Sequence, residues 1–269
     1  MLGSSRESLT ALRTSLDARR TAEGFGTVSG DLLAVAGVLA GEKSLRQTLA
    51  DSGQPAALRA GVVTTLFEGR IGAVSLDVLT DVVRARWSSD DDLVDAVEQL
   101  GAQAAFIVAD ADGTLDRVED ELFTFGRAVD SSPELQMALT DPSVPVERKA
   151  AIVRDLIGTS ATPASTALLA HAAGHLRGRR PAAAVEELAR LASDQRRQVL
   201  AEVRSAIALD ADQHTRLTTA LSRLQGRDVR VNVVLDPDVI GGIVVRVGDD
   251  VIDGSVASRL EQARRALSV

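Results

Sequence analysis

The sequence contains no cysteine and no tyrosine, and only five phenylalanines and one tryptophan among 269 residues. Without cysteine there are no disulfides, no thiolate metal sites and no cysteine nucleophile, which fits a reducing cytoplasm. Aromatics at 2% leave few stacking surfaces for single-stranded nucleic acid, and a net charge of −8 lacks the positive field that phosphate contacts need. Nucleic-acid binding is excluded on both counts. Apolar runs such as 32–39 are far shorter than the roughly 20 residues of a membrane helix, and the first 30 residues hold no signal-peptide hydrophobic segment. Any membrane association has to come through partners.

What is plentiful is alanine, leucine and valine. Hydrophobic residues make up 45% of the chain, and with so few aromatics the core must consist of small, regular side chains suited to close helix packing. The length allows two or three domains of ordinary size.

Leu9, Leu12 and Leu16 recur at helical spacing, predicting an amphipathic helix over 8–20. Gly24, Gly26 and Gly30 break the pattern, and Asp31 is placed to cap a second helix carrying Leu32, Leu33, Ala36 and Leu39. Over 92–108, Leu93, Val97, Leu100, Ala104 and Ile107 alternate four- and three-residue steps, which predicts one helix of about five turns. A second set of stripes follows the break at 110–113, with Leu115, Val118, Leu122, Phe125 and Val129.

The second set echoes the first. Sliding the sequence by 89 places Gly24 on Gly113, Asp31 on Asp120, Leu33 on Leu122 and Gly37 on Gly126. A shift of 90 then pairs Leu45 with Leu135, Leu49 with Leu139, Asp51 with Asp141, Pro55 with Pro145, Val63 with Val153 and Leu79 with Leu169. After a two-residue deletion Ala96–Val97–Glu98 falls on Ala184–Val185–Glu186. Any two Ala/Leu-rich helical regions align at some offset, but co-linear prolines and turns favour a duplication. The expected organisation is mainly α: a helical bundle over 1–110, a second over 92–195 sharing the stiff 92–108 helix, and a small α/β domain over 196–269.

That last domain announces itself by a change of period. Val199, Ala201 and Val203 alternate with Leu200, Glu202 and Arg204, as do Val229, Val231 and Val233, so strands replace helices. A helix over 210–225 with Leu217, Leu221 and Leu224, closed by Gly226, lies between them. Gly241 and Gly242 permit a bend into a strand, Gly248–Asp249–Asp250 reads as a tight hairpin turn, and Asp253–Gly254–Ser255 turns the chain into a final helix over 256–267, with Ser255 as its N-cap.

The run from Gly241 to Leu260, GGIVVRVGDDVIDGSVASRL, resembles the C-terminal signature of the ATP synthase delta family, called the oligomycin-sensitivity-conferring protein in mitochondria. Gly241, Gly242, Gly248, Asp249, Ile252, Asp253, Gly254, Ser255, Arg259 and Leu260 carry it, as structural or stalk-contacting positions. The resemblance extends over at least 115–267. Ordinary family members have one helical bundle before this domain; the extra hundred or so residues here are similar to an enlargement in some actinobacterial relatives. Certain of those are fused to a membrane-anchored stalk helix, whereas Met1 here starts a polar segment, as expected of the unfused kind. The resemblance implies a non-catalytic stator subunit without cofactors. Its helical part would grip the N-terminal segments of the head's alpha subunits and its C-terminal domain the b subunits of the peripheral stalk, at the cytoplasmic face of the cell membrane.

Signals of other chemistry fall short. Gly37 to Ser44 nearly spells a phosphate loop, but Glu42 separates Gly41 from Lys43 and the spacing fails. Val108 to Glu119 resembles a calcium loop, yet Val108 stands where the first carboxylate is required, and Thr114 reads instead as a helix cap. His171 and His175 lie one helical turn apart without an evident third metal ligand. Asp90–Asp91–Asp92 reads as a solvated helix start, and Arg177–Gly178–Arg179–Arg180–Pro181 as a basic turn facing an acidic partner. Two rival classes remain at this level, a free-standing helical adaptor and a metal-dependent hydrolase using the histidines. Stoichiometric zinc would favour the hydrolase, and binding of an alpha N-terminal peptide would favour the clamp.

Overall fold

The computed structural model describes residues 3–197, 199–225, 229–236, 239, 241–247 and 250–253, in two compact units, Met1–Gln195 and Arg196–Val269. The first is all helix: α1 (Ser4–Ala18), α2 (Val28–Gly41), α3 (Lys43–Ala50), α4 (Ala56–Phe67), α5 (Ala73–Arg84), α6 (Asp90–Ala111), α7 (Leu115–Ser131), α8 (Pro133–Thr140), α9 (Val146–Ile157), α10 (Pro163–Gly174) and α11 (Pro181–Arg197). Local chemistry sets many of the starts. The hydroxyls of Ser89, Ser132 and Thr162 accept from the amides of Asp92, Leu135 and Ser165 at the heads of α6, α8 and α10. Pro133 and Pro163 occupy first-turn positions where no amide hydrogen is needed.

Two hydrophobic cores fill this unit. Leu12, Leu16, Leu32, Leu39, Leu49, Val63 and Leu79 close one with Leu93, Val97, Leu100 and Ala104 of α6. Leu122, Val129, Leu139, Val153, Leu168 and Leu169 close the other with Ala102, Ala105, Phe106 and Ala109, also of α6. One helix thus feeds both cores from opposite stripes, which is why it runs to 22 residues, of which 13 are buried. Leu33 of α2 belongs to the second core, and a Cβ on Gly101 would lie 3.2 Å from its side chain, so α2 and α6 approach closely.

Matched hydrogen bonds fix the internal correspondence at an offset of 90. Asp31 accepts from the Gly72 amide at 2.9 Å and the Ser75 hydroxyl at 2.6 Å; Glu121 accepts from the Thr162 amide at 3.0 Å and its hydroxyl at 2.7 Å. Asp51 accepts from the Gly53 amide at 2.9 Å and Asp141 from the Ser143 amide at 2.8 Å. Arg46 donates to the carbonyls of Leu39 and Ala40, and Gln136 to those of Val129 and Asp130. Asp31 therefore corresponds to Glu121 rather than Asp120, and Leu32, not Leu33, to Leu122. The extra residue belongs to the second block and enters just after Gly113, which like Gly24 is left-handed, at φ 68° against 85°: seven steps lead from Gly24 to Asp31 and eight from Gly113 to Glu121, and the 3-10 turn Phe25–Thr27 stands where α7 has its first turn. Two predicted caps give way as well. Asp31 reaches across to the head of α5 instead of capping α2, and the Thr114 hydroxyl donates back to the Ala109 carbonyl.

The second unit is a four-stranded sheet of order β2-β1-β3-β4, formed by β1 (Val199–Ser205), β2 (Val229–Leu235), β3 (Ile243–Val247) and β4 (Asp250–Asp253), with α12 (Ala211–Gln225) between β1 and β2. β1 and β2 run parallel, a geometry that needs the α12 crossover; the other pairs are antiparallel. Ala201, Val203, Val229, Val231 and Val245 pack with Leu217 and Leu221 of α12. Leu224, expected on the same stripe, is instead exposed. Asp210 and Gln213 bond each other's amides at 2.7 and 3.0 Å, a reciprocal helix start. Asp250, expected in the hairpin turn, already pairs with Val247 as part of β4. The architecture is mainly α with a small α/β part.

A candidate site at the seam between two helical cores

Where the two cores meet on α6, a carboxylate is buried. Glu98 is only 8% exposed. Its Oε2 accepts from Arg177 at 2.8 Å and from Arg179 at 3.0 Å, while Oε1 lies 3.3 Å from His171 Nε2. Arg177 also pairs with Asp95, one helical turn before Glu98. The basic turn predicted to face an acidic partner therefore spends two of its three arginines inside the chain; Arg180 alone is exposed. Arg177 takes a positive φ of 47°, rare for a side chain with a Cβ, and this aims the guanidinium back at α6.

Burial alone would push the Glu98 carboxyl up, but the His171 hydrogen bond and the Arg179 and Arg177 cations outweigh it and hold the group at about 2. Burial lowers His175, helped by neighbouring His171. The two imidazoles stack with centroids 4.5 Å apart, and His175 Nδ1 donates to the His171 carbonyl at 3.2 Å. With the Glu98 carboxylate accepting from His171, the rings serve as hydrogen-bond donors in a packed seam, and no group of three or more metal-ligand side chains forms among the described residues. A cavity of about 280 Å³ adjoins the cluster, bounded by Leu33, Glu98, His171, Arg179 and Leu188. A carboxylate locked in its charged form is a poor proton shuttle at neutral pH; what the arrangement does is fasten α10 and the turn after it to α6.

Sequence reasoning singled out the histidines and the basic turn but not Glu98 or Asp95. A signal was present: Glu98 has Val94 and Ala102 at i−4 and i+4, a carboxylate set between apolar neighbours, with Asp95 one turn before it. In the second unit, Gly241 and Gly242 take φ of 68° and 77° ahead of β3, Ile252 pairs with Val245, and Asp253 with Val244. Gly248, Asp249, Gly254, Ser255, Arg259 and Leu260, like Gly226 and the expected final helix, lie outside the described residues.

The family profile described as ATP synthase delta (OSCP) subunit matches residues 97–267, starting inside α6. ATP synthase subunit delta of Parafrankia sp. (strain EAN1pec) is 41% identical over 278 residues, covering 100% of both chains. The subunit delta of Streptomyces avermitilis is 42% identical over 268 residues, covering 99% of this chain and 98% of its own. That of Thermobifida fusca is 38% identical over 268 residues and 100% of both.

Proposed function

Since the chain belongs to the ATP synthase delta (OSCP) family, we propose that it holds the head of the enzyme by its helical unit and the peripheral stalk by its α/β unit. It is a non-catalytic stator component of the ATP synthase, linking through the peripheral stalk so that rotation is coupled to ATP synthesis. It is a peripheral part of a membrane-bound complex, and no single helix among the described residues is long and apolar enough to cross a membrane. The finer assignments are our reading. The partners are the N-terminal segments of the alpha subunits and the b subunits, the location is the cytoplasmic face, and the signature from Gly241 to Leu260 shapes or contacts the stalk end.

On this reading 1–110 is an added bundle, 92–195 the family bundle sharing the 92–108 helix, and 196–269 the α/β domain. The observation that carries it is α6, buried on both stripes and fastened to the second block through Glu98. A stator has to transmit torque without yielding, and a continuous helix common to two cores is a stiff joint, unlike a flexible linker. The matched hydrogen bonds at an offset of 90 and the start of the family match at residue 97 both support the division.

Stripping the chain from membranes tests the role. Proton pumping should be lost and restored by adding the chain back, while ATP hydrolysis by the released head continues; parallel loss of hydrolysis would sink the purely connecting role. A synthetic alpha N-terminal peptide should bind the full chain.

A further inference from the structure

Among the described residues, neither hydrophobic core covers Leu58 and Leu66 on the outward face of α4. Leu58 and Leu66 stand at i and i+8 with Ala57, Gly61 and Thr65 beside them and Val62, half-buried against the first core, along the inner edge, so an uncharged strip runs about 14 Å along the helix. Leu58 is 61% and Leu66 36% exposed. At an offset of 90 the same positions of α9 are Glu147, Arg148, Ala151, Ile152, Asp155 and Leu156. The fold therefore tolerates three charges on this face, and α4 carries none.

Gly61 adds an independent observation. It lies mid-helix without a positive φ, and a Cβ built on it meets nothing within 4 Å. Neither backbone conformation nor internal packing calls for glycine there, yet it costs a helix interior about 1 kcal/mol relative to alanine, and its counterpart is Ala151. A missing Cβ on an open face is useful when another backbone comes close.

We propose that this face of α4 seats an α-helix of another subunit of the complex, one presenting an uncharged apolar stripe. The seat presupposes the stator role proposed above and adds a partner for the first helical block. Charge selects the occupant: a carboxylate or ammonium laid on the strip would lose its water and find no counter-charge on this face of α4 along nearly three turns, the helix's one cation, Arg59, being buried on another side. An apolar stripe in a helix-lined groove has no such cost.

The test uses the full chain assembled in its own membranes. A photoreactive benzoylphenylalanine at position 58 should crosslink to a different subunit, identified by mass spectrometry. The double variant L58R/L66E should lower retention on washed membranes about tenfold, while its melting temperature in isolation stays within about 2 °C of wild type. Gly61→Ala separates docking from folding, because it should raise the melting temperature yet weaken retention. A crosslink to the chain's own residues or to a second copy, no crosslink, or undiminished retention of the variants would overturn the seat. Those results would leave the stator role standing as long as the wild-type chain restores coupled pumping; failure of that restoration would remove the stator role itself.

Discussion

Asp31 in one helical block and Glu121 in the other clasp the head of a helix some forty residues on, yet Leu33 is 7% exposed and its counterpart Phe123 is 64%. The same split recurs elsewhere. Arg59 and Lys149 are equivalent buried cations at 4% and 7% exposure, and Ala96–Val97 and Ala184–Val185 are buried pairs, but Glu98 is buried where Glu186 is exposed. Across α6 the second stripe is Gly101, Ala102, Ala105 and Phe106; the positions 88 residues later on α11 are Ala189, Arg190, Ser193 and Asp194, with Arg190 paired to Glu187 and Asp194. Positions facing a block's own core follow the fold, and outward positions follow what lies against them. Beside α6 that is the other block. α11 is built like the polar cap that ends an array of repeats.

The largest break in this symmetry should come from Glu98. Replacing it by alanine leaves Arg177, Arg179 and His171 facing each other around a hole, and the expected loss in chemical denaturation is about 3–4 kcal/mol. Glu186→Ala should stay within about 0.5 kcal/mol. Similar losses for the two would mean that α6 and α11 face similar surroundings after all. Acid probes the same contrast without mutation. Glu98 is held at about 2, below its ordinary 4.5, so the unfolded chain takes up the proton first. The stability it contributes is complete above pH 4.5 and drains away between 4.5 and about 2. By pH 3 the expected loss is about 2 kcal/mol. His175, lowered by burial, adds a milder loss as pH falls below about 6.5, because the folded state resists its protonation. The Glu98→Ala variant should lack the lower phase, and Glu186→Ala should keep it.

How far the sequence disclosed this molecule depends on the distance over which each interaction acts. Helical stripes and alternating strands are local, and α6 and the β strands were legible from them, as was the echo between the blocks; the family was legible through the resemblance of the run from Gly241 to Leu260. The one-residue register of that echo was not, because Gly24 and Gly113 align naturally while the extra residue hides in the second block, between Gly113 and the first turn of α7. Asp31 looked like a cap because short-range chemistry offers that role, whereas two of its partners, Gly72 and Ser75, lie 41 and 44 residues away. Glu98 was hidden for the same reason, since His171, Arg177 and Arg179 follow it by 73, 79 and 81 residues.

The clasps offer a smaller and more symmetrical test. Asp31→Ala strands the Gly72 amide and the hydroxyl of fully buried Ser75; Glu121→Ala does the same to the Thr162 amide and hydroxyl. Each should cost about 1.5–3 kcal/mol, the range for hydrogen bonds to a charged acceptor. The two losses should agree within about 0.5 kcal/mol and add in the double variant, because the clasps share no partner. A large difference would locate the stability of the helical unit in one block.

The smallest effect separates what position 46 shares with its counterpart from what it has added. Arg46 donates from Nη1 to the carbonyls of Leu39 and Ala40 at 3.3 and 3.1 Å, the service that Gln136 performs for Val129 and Asp130. Its Nε also pairs with Asp90 at 2.9 Å, a partly exposed ion pair that lowers the Asp90 carboxyl. Arg46→Gln should keep the carbonyl bonds, as Gln136 does, and lose only the ion pair, about 0.5 kcal/mol at low salt. That remainder should shrink toward zero near 1 M salt, where the screening length is about 3 Å. Arg46→Ala removes both functions and should cost about 1 kcal/mol more at either salt concentration, since two helix-end carbonyls lose their donor. If glutamine proved as costly as alanine, the pairing with Asp90 would be the whole purpose of the arginine, and the likeness to Gln136 would stop at geometry.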